Sequence, residues 1–134
     1  MEDLSSWIEN KVSNRRTKVK NLLAFKKVLK RLRIKPPKEI ITIGGTNGKG
    51  TLAELISQLS LKKEISVGTF TSPHIINFNE RIKINGNEIS DSLFLEALKK
   101  VELIRKETEL NFYQILSLAA LEVFSKLNLE LWIL

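Results

Sequence analysis

The 134-residue sequence contains no cysteine, a single histidine and three prolines, and each shortage excludes some chemistry. Without thiols there is no disulfide framework, no thiolate metal site and no cysteine nucleophile. His74 is the one imidazole. Long apolar runs are missing too: none approaches the ~18 residues that span a bilayer. The opening MEDLSSWIENK has no basic flank leading into an apolar core, so it does not read as a secretion signal. These absences predict a cytoplasmic chain with no membrane partner.

What is present is the mixture of a small globular protein, 43% hydrophobic and 28% charged, with enough length for one real core. The net charge of +7 is unevenly placed. Twelve of the 22 basic residues fall between Glu9 and Glu39, a stretch with no acid, so the remainder is net acidic. The expected organisation is a basic helical segment over 1–36 followed by a second unit over 37–134.

Within 1–38, Leu22, Phe25, Leu29 and Leu32 recur at helical spacing, and Pro36-Pro37 stops the helix because proline lacks an amide hydrogen and displaces its predecessor from the α region. A β-branched strand over 39–43 then enters a glycine-rich stretch, after which Leu52, Leu55, Ile56 and Leu59 mark a second helix. Strand 65–70 is followed by an irregular polar loop over 71–80, and 81–84 with 88–89 flank an Asn-Gly turn suited to a hairpin. Ser90 or Asp91, and later Asn111, can cap two further helices, with an apolar strand over 129–134 at the end. Strands alternating with helices predict an α/β fold with a parallel sheet.

Gly44-Gly45-Thr46-Asn47-Gly48-Lys49-Gly50-Thr51 demands a chemical reason. Glycines between a strand and a helix let successive amides converge, and with the positive helix end they form a cradle for phosphate oxygens. Lys49 adds a point charge, and the Thr51 hydroxyl is a candidate ligand for a phosphate-bound magnesium. The standard phosphate-loop pattern is not met, since Ile43 and Gly50 stand where it needs Gly and Ser or Thr. A plain glycine turn with an exposed lysine explains the string less well, given the strand before it and the amphipathic helix after it.

The string GTNGKGT resembles the variant phosphate loop of the Mur-ligase superfamily. Thr71-Ser72-Pro73-His74, Phe78-Asn79-Glu80-Arg81-Ile82, Ile84-Asn85-Gly86 and Ile89-Ser90 narrow the resemblance to the folylpolyglutamate synthase/dihydrofolate synthase family, over about residues 15–134. It implies an incomplete phosphate-loop-type parallel sheet flanked by helices, as in the Mur-ligase ATP-binding domain. It also implies ATP and magnesium as cofactors, and folate or dihydropteroate and glutamate as substrates. Family ligases phosphorylate the folate or pteroate carboxylate, and glutamate's amine then attacks the acyl phosphate.

By this resemblance Asn47, Gly48, Lys49, Gly50 and Thr51 hold ATP phosphates, Ser72 and Thr51 serve the metal, and His74, Phe112, Tyr113 and Gln114 face the folate substrate. No residue is assigned as a catalytic acid or base. Two departures stand out. Gln114 replaces a family Glu, losing its charge, and Asn21-Leu22-Leu23 lacks the glycine of the family's Leu-Gly-Leu. The family's next magnesium-binding Glu and its glutamate-binding domain lie beyond Leu134. The chain is thus expected to be inactive alone, either completed by a separately encoded carboxy-terminal portion or a nucleotide-binding remnant. The basic face running from Lys11 to Lys38 also admits a nucleic-acid reading, but interleaving with leucines is the mark of a solvated helix face.

Overall fold

The computed structural model describes residues 2–13 and 21–134. Helices α1 (Leu4–Lys11), α2 (Leu22–Leu32), α3 (Lys49–Lys62), α4 (Asp91–Arg105) and α5 (Phe112–Lys126) accompany strands β1 (Glu39–Ile41), β2 (Val67–Phe70), β3 (Ile82–Ile84), β4 (Asn87–Glu88) and β5 (Leu131–Ile133). The chain forms two compact units, one of Met1–Lys35 with Asp91–Val123 and one of Pro36–Ser90 with Phe124–Leu134. This grouping differs from the linear division at residue 36. Helix α4 packs on α1 and α2, and 91–123 cluster with the amino-terminal helices.

In the helical unit the side chains of Asp3 and Asn21 cap α1 and α2 by accepting from the Ser6 and Ala24 amides, the preferred residue types for the task. The expected continuous helical reading of 1–38 becomes two helices, with 14–20 outside the described residues. Helix α2 ends three residues before Pro36, where Arg33 turns into the left-handed region at φ 54°. Its buried stripe is Ala24, Val28 and Leu32, whereas Leu22 is 62% exposed. Ile8, Phe94, Leu98 and Leu116 are fully buried among these helices.

The second unit is built on a five-stranded sheet of order β1-β5-β2-β3-β4. β5 runs parallel to β1 and β2, while β3 and β4 form an antiparallel hairpin on β2. The sheet is therefore mixed, with the expected parallel strands at one end. Asn85 and Gly86 turn the hairpin with φ of 49° and 81°, the left-handed pair that an Asn-Gly turn needs.

Side chains alternate across the sheet. Val67, Leu131 and Ile133 pack with Ala53 of α3, joined by Ile41 and Ile43. Helix α3 buries Ala53, Ser57 and Ser60, while Leu52, Leu55 and Leu59 are 45%, 54% and 53% exposed. The leucine periodicity marked the helix but not its inner face. Small residues face the sheet because they let the helix axis approach it closely. On the other face, a Cβ built on Gly68 would lie 2.5 Å from the Phe124 ring, which also packs on Trp132 at 5.9 Å between centroids. Gly68→Ala is expected to lower unfolding stability by about 1–3 kcal/mol through overpacking, as read by denaturant unfolding.

Candidate functional site

The glycine-rich loop leaves the carboxyl end of β1 and closes at Gly48, which caps α3 at φ 77°, a backbone region where side chains are strained. No side chain caps the helix, so the amides of its first turn and its positive dipole end face outward as an anion-binding geometry. Lys49 folds back and donates to the Gly45 carbonyl at 2.5 Å, holding its ammonium over the loop. Asn47, Gly48, Lys49, Gly50 and Thr51 are all exposed.

The loop after β2 comes to the same side. Gly50, Thr51, Glu54 and Leu55 of α3, Thr71, Pro73, Ile75 and Glu80 of this second loop, and Lys83 of β3 line an open cleft of about 600 Å³. Ser72 is exposed between two of the lining residues. Residues of both motifs thus line one cleft, Thr51 and Thr71 among them.

The irregular loop over 71–80 is held by hydrogen bonds. The Glu80 carboxylate accepts from the amides of Ile75, Ile76 and Asn77 at 2.9, 2.7 and 2.7 Å. These bonds, led by that from Asn77, hold the Glu80 carboxyl down at about 2. Arg81 is buried and its Nε donates to His74 Nδ1 at 2.7 Å. Glu80 and Arg81 therefore serve different partners rather than pairing with each other. Burial first, and the Arg81 charge second, push His74 below its usual value. With Nδ1 accepting, its Nε2 carries the hydrogen as a donor.

Sequence reasoning missed Lys83 and Glu54. The Lys83 ammonium lies 3.1 Å from Glu54 Oε2, and the other oxygen of Glu54 accepts from Gln58 at 3.1 Å. Hydrogen bonds from Gln58 and then Lys83 lower the Glu54 carboxyl. Only the Glu54 and Gln58 spacing, one helical turn, was visible in the sequence; the strand partner is tertiary.

Phe112, Tyr113 and Gln114 open α5 in the helical unit. Gln114 and Asn111 cap each other reciprocally at 3.1 and 2.9 Å, and Gln114 Nε2 donates to the Asn21 carbonyl at 3.1 Å. A glutamate cannot make that donation, which gives the amide at this position a structural reason. Phe112 is half-buried and Tyr113 exposed. Among the described residues no group of three His, Cys, Asp or Glu side chains is placed to hold a metal, and no helix is long and apolar enough to cross a membrane.

A strand, glycine loop and helix feeding a cleft beside parallel strands define a phosphate-loop α/β protein of the Mur-ligase fold. Its relatives narrow the class. The dihydrofolate synthase/folylpolyglutamate synthase of Buchnera aphidicola (subspecies Acyrthosiphon pisum) is 36% identical over 98% of this chain and 32% of its own length. That of Escherichia coli K12 is 30% identical over 75% and 24%. The structure of E. coli FolC in complex with DHPP and ADP superposes with TM-score 0.90 at 27% identity, and a bifunctional folylpolyglutamate synthase/dihydrofolate synthase with Mn, AMPPNP and L-glutamate bound with 0.91 at 29%. They cover 98% and 99% of this chain and 32% of theirs. No protein-family model matches. The chain belongs to the dihydrofolate synthase/folylpolyglutamate synthase family and corresponds to its amino-terminal portion, spanning about a third of the length of these relatives.

The Glu80 bonds have a pH signature. Because its folded value is depressed, the loop stabilisation is fully present above the ordinary carboxylate value of 4.5 and is lost as pH falls through about 2. Amide resonances of Ile75, Ile76 and Asn77 are expected to titrate together near pH 2 in an NMR series, and Glu80→Gln is expected to abolish that common transition.

Proposed function

We propose that this chain is the amino-terminal, ATP-binding part of an amide ligase that joins glutamate to folate or dihydropteroate through an acyl phosphate. The observation that carries the reading is the uncapped start of α3, with Gly48 and Lys49 beside it, opening into the cleft that the second motif also lines. The nucleotide site belongs to the unit of Pro36–Ser90 with Phe124–Leu134.

The first-turn amides and Lys49 bind phosphate oxygens, and in doing so neutralise charge that builds up as a phosphoryl group moves. Thr51 and Ser72 would hold a magnesium ion, since their neutral oxygens are hard donors of the kind it accepts. When bound, it would supply charge neutralisation at the phosphates. His74, Phe112, Tyr113 and Gln114 are assigned to the folate substrate, His74 through its Nε2 hydrogen. Phosphorylation turns a carboxylate, whose leaving group would be oxide, into an electrophile that an amine can attack.

Glutamate recognition and the remaining magnesium ligands are assigned to further polypeptide, supplied in the same or a separate chain, and the cytoplasm is the assigned compartment. Calorimetry with magnesium and ADP tests the nucleotide assignment. Lys49→Ala is expected to weaken binding about 10- to 100-fold, the loss of one charge-assisted hydrogen bond. Equal affinity for parent and variant overturns the assignment.

A further inference from the structure

The cleft holds one charge pair that phosphate binding at Gly48 to Thr51 does not use. Lys83 is the middle residue of β3, in register with Thr69 of β2 on one side and Glu88 of β4 on the other, so its backbone is fixed from both sides. Register partners of an antiparallel ladder share a face of the sheet, yet Lys83 does not pair with Glu88. Its ammonium reaches α3 instead and lies 3.1 Å from Glu54 Oε2. The other oxygen of Glu54 accepts from Gln58 at 3.1 Å. Among the described residues that line the cleft, Lys83 is the one cation, beside the carboxylates of Glu54, Glu80 and Glu88.

This pair can open at little cost. The side chains of Lys83 and Glu54 are 31% and 40% exposed, and an ion pair with that much water around it gains only a small net attraction. An oxyanion that enters the cleft therefore competes with Glu54 on nearly equal terms. Glu54 is not stranded by the exchange, because Gln58 remains its partner. Thr51 and Glu54 both line the cleft and stand three residues apart on α3, neighbours on the helix surface with Cβ atoms about 5–6 Å apart. Lys83 is thus held about one helical turn from the first-turn amides that face an anion. Acyl-phosphate formation brings a carboxylate against phosphoryl oxygens, and two anions approach only where cations offset their repulsion.

We propose that Lys83 is an exchangeable oxyanion-binding residue of the cleft, with Glu54 as its built-in competitor. The ammonium leaves Glu54 for an oxyanion of the bound ligands, supplied by the terminal phosphoryl group of the nucleotide or by the carboxylate of the acceptor. The inference rests on the ligase reading and adds to it a binding residue on a strand, outside both loop motifs. A purely structural tie between α3 and β3 makes a different demand, since it needs both partners equally and binds nothing.

Calorimetry of the full chain in magnesium tests this with three probes: ADP, AMPPNP, and dihydropteroate added in the presence of ADP. Lys83→Met is expected to weaken at least one of them about tenfold, the loss of one charge-assisted hydrogen bond. A loss shared by a nucleotide identifies the phosphoryl source, and a loss confined to dihydropteroate identifies the carboxylate. Glu54→Gln is expected to tighten the same probe about two- to fivefold, because the competitor has lost its charge. A structural tie predicts instead that both variants lower the melting temperature and that neither moves an affinity. Parent affinities for all three probes in Lys83→Met with an unchanged circular dichroism spectrum overturn the proposal. So does a Glu54→Gln that tightens no probe, which decides the matter even where Lys83→Met does not fold. Binding that responds to Lys49→Ala but not to Lys83→Met overturns this proposal alone, whereas a parent chain that binds none of the probes overturns the nucleotide reading with it.

Discussion

Insertion of β5 between β1 and β2 is the constraint on which the second unit depends. β1 precedes the phosphate loop and β2 precedes the second motif, yet the two strands do not touch; each pairs with β5. Among the described residues β1 has β5 as its sheet neighbour. A strand from the far end of the sequence therefore sets the spacing between the two loops. Closing so long a chain segment is entropically unfavourable, and the return comes from apolar burial on both faces: Leu131 and Ile133 against α3, Trp132 against Phe124. Gly68 belongs to the same arrangement, because only its missing side chain lets the Phe124 ring lie on the sheet.

The amino ends of the three parallel strands are tied by polar groups. Glu130 accepts from the Ser66 amide and hydroxyl and from Lys38, each at 3.3 Å, and the Ser66 bond leads in lowering its carboxyl. At the carboxyl ends Glu80 gathers three amides. Both carboxylates are charge acceptors for backbone N–H groups in segments that have no ladder to satisfy them. The rigid polar ends leave the middle of the sheet apolar, and the two functional loops emerge from fixed anchor points. Lys83 is then carried to the cleft on β3 rather than on a loop, and it donates there to Glu54, whose other oxygen accepts from Gln58.

Much of this was legible residue by residue. The glycine-rich string between a β-branched run and a periodic segment read as strand, tight loop and helix, and the structure has that order in β1, the turn at Gly48 and α3. The Asn-Gly hairpin and Asn111 cap were equally local, and the structure has both. Local periodicity located α2 and α3 and their inward Leu32 and Ile56, but not the rest of the buried face of either helix. It counts where apolar residues recur, but the face that packs is chosen by how closely two elements can approach, and Ala53, Ser57 and Ser60 allow what leucines do not.

The sequence by itself determined the chemistry available: amides and Lys49 for anions, hydroxyls at Thr51 and Ser72, one imidazole, no thiol. These follow from residue type and from short spacings, which act over a few ångströms along the chain. Tertiary structure alone decided which of those groups share a cleft, that Arg81 belongs to His74 and Glu80 to the backbone, and that Gln114 braces Asn21. Each such pairing joins separate segments or competes among several near-equal partners, and only the packed chain, by fixing distances and removing water, selects between them.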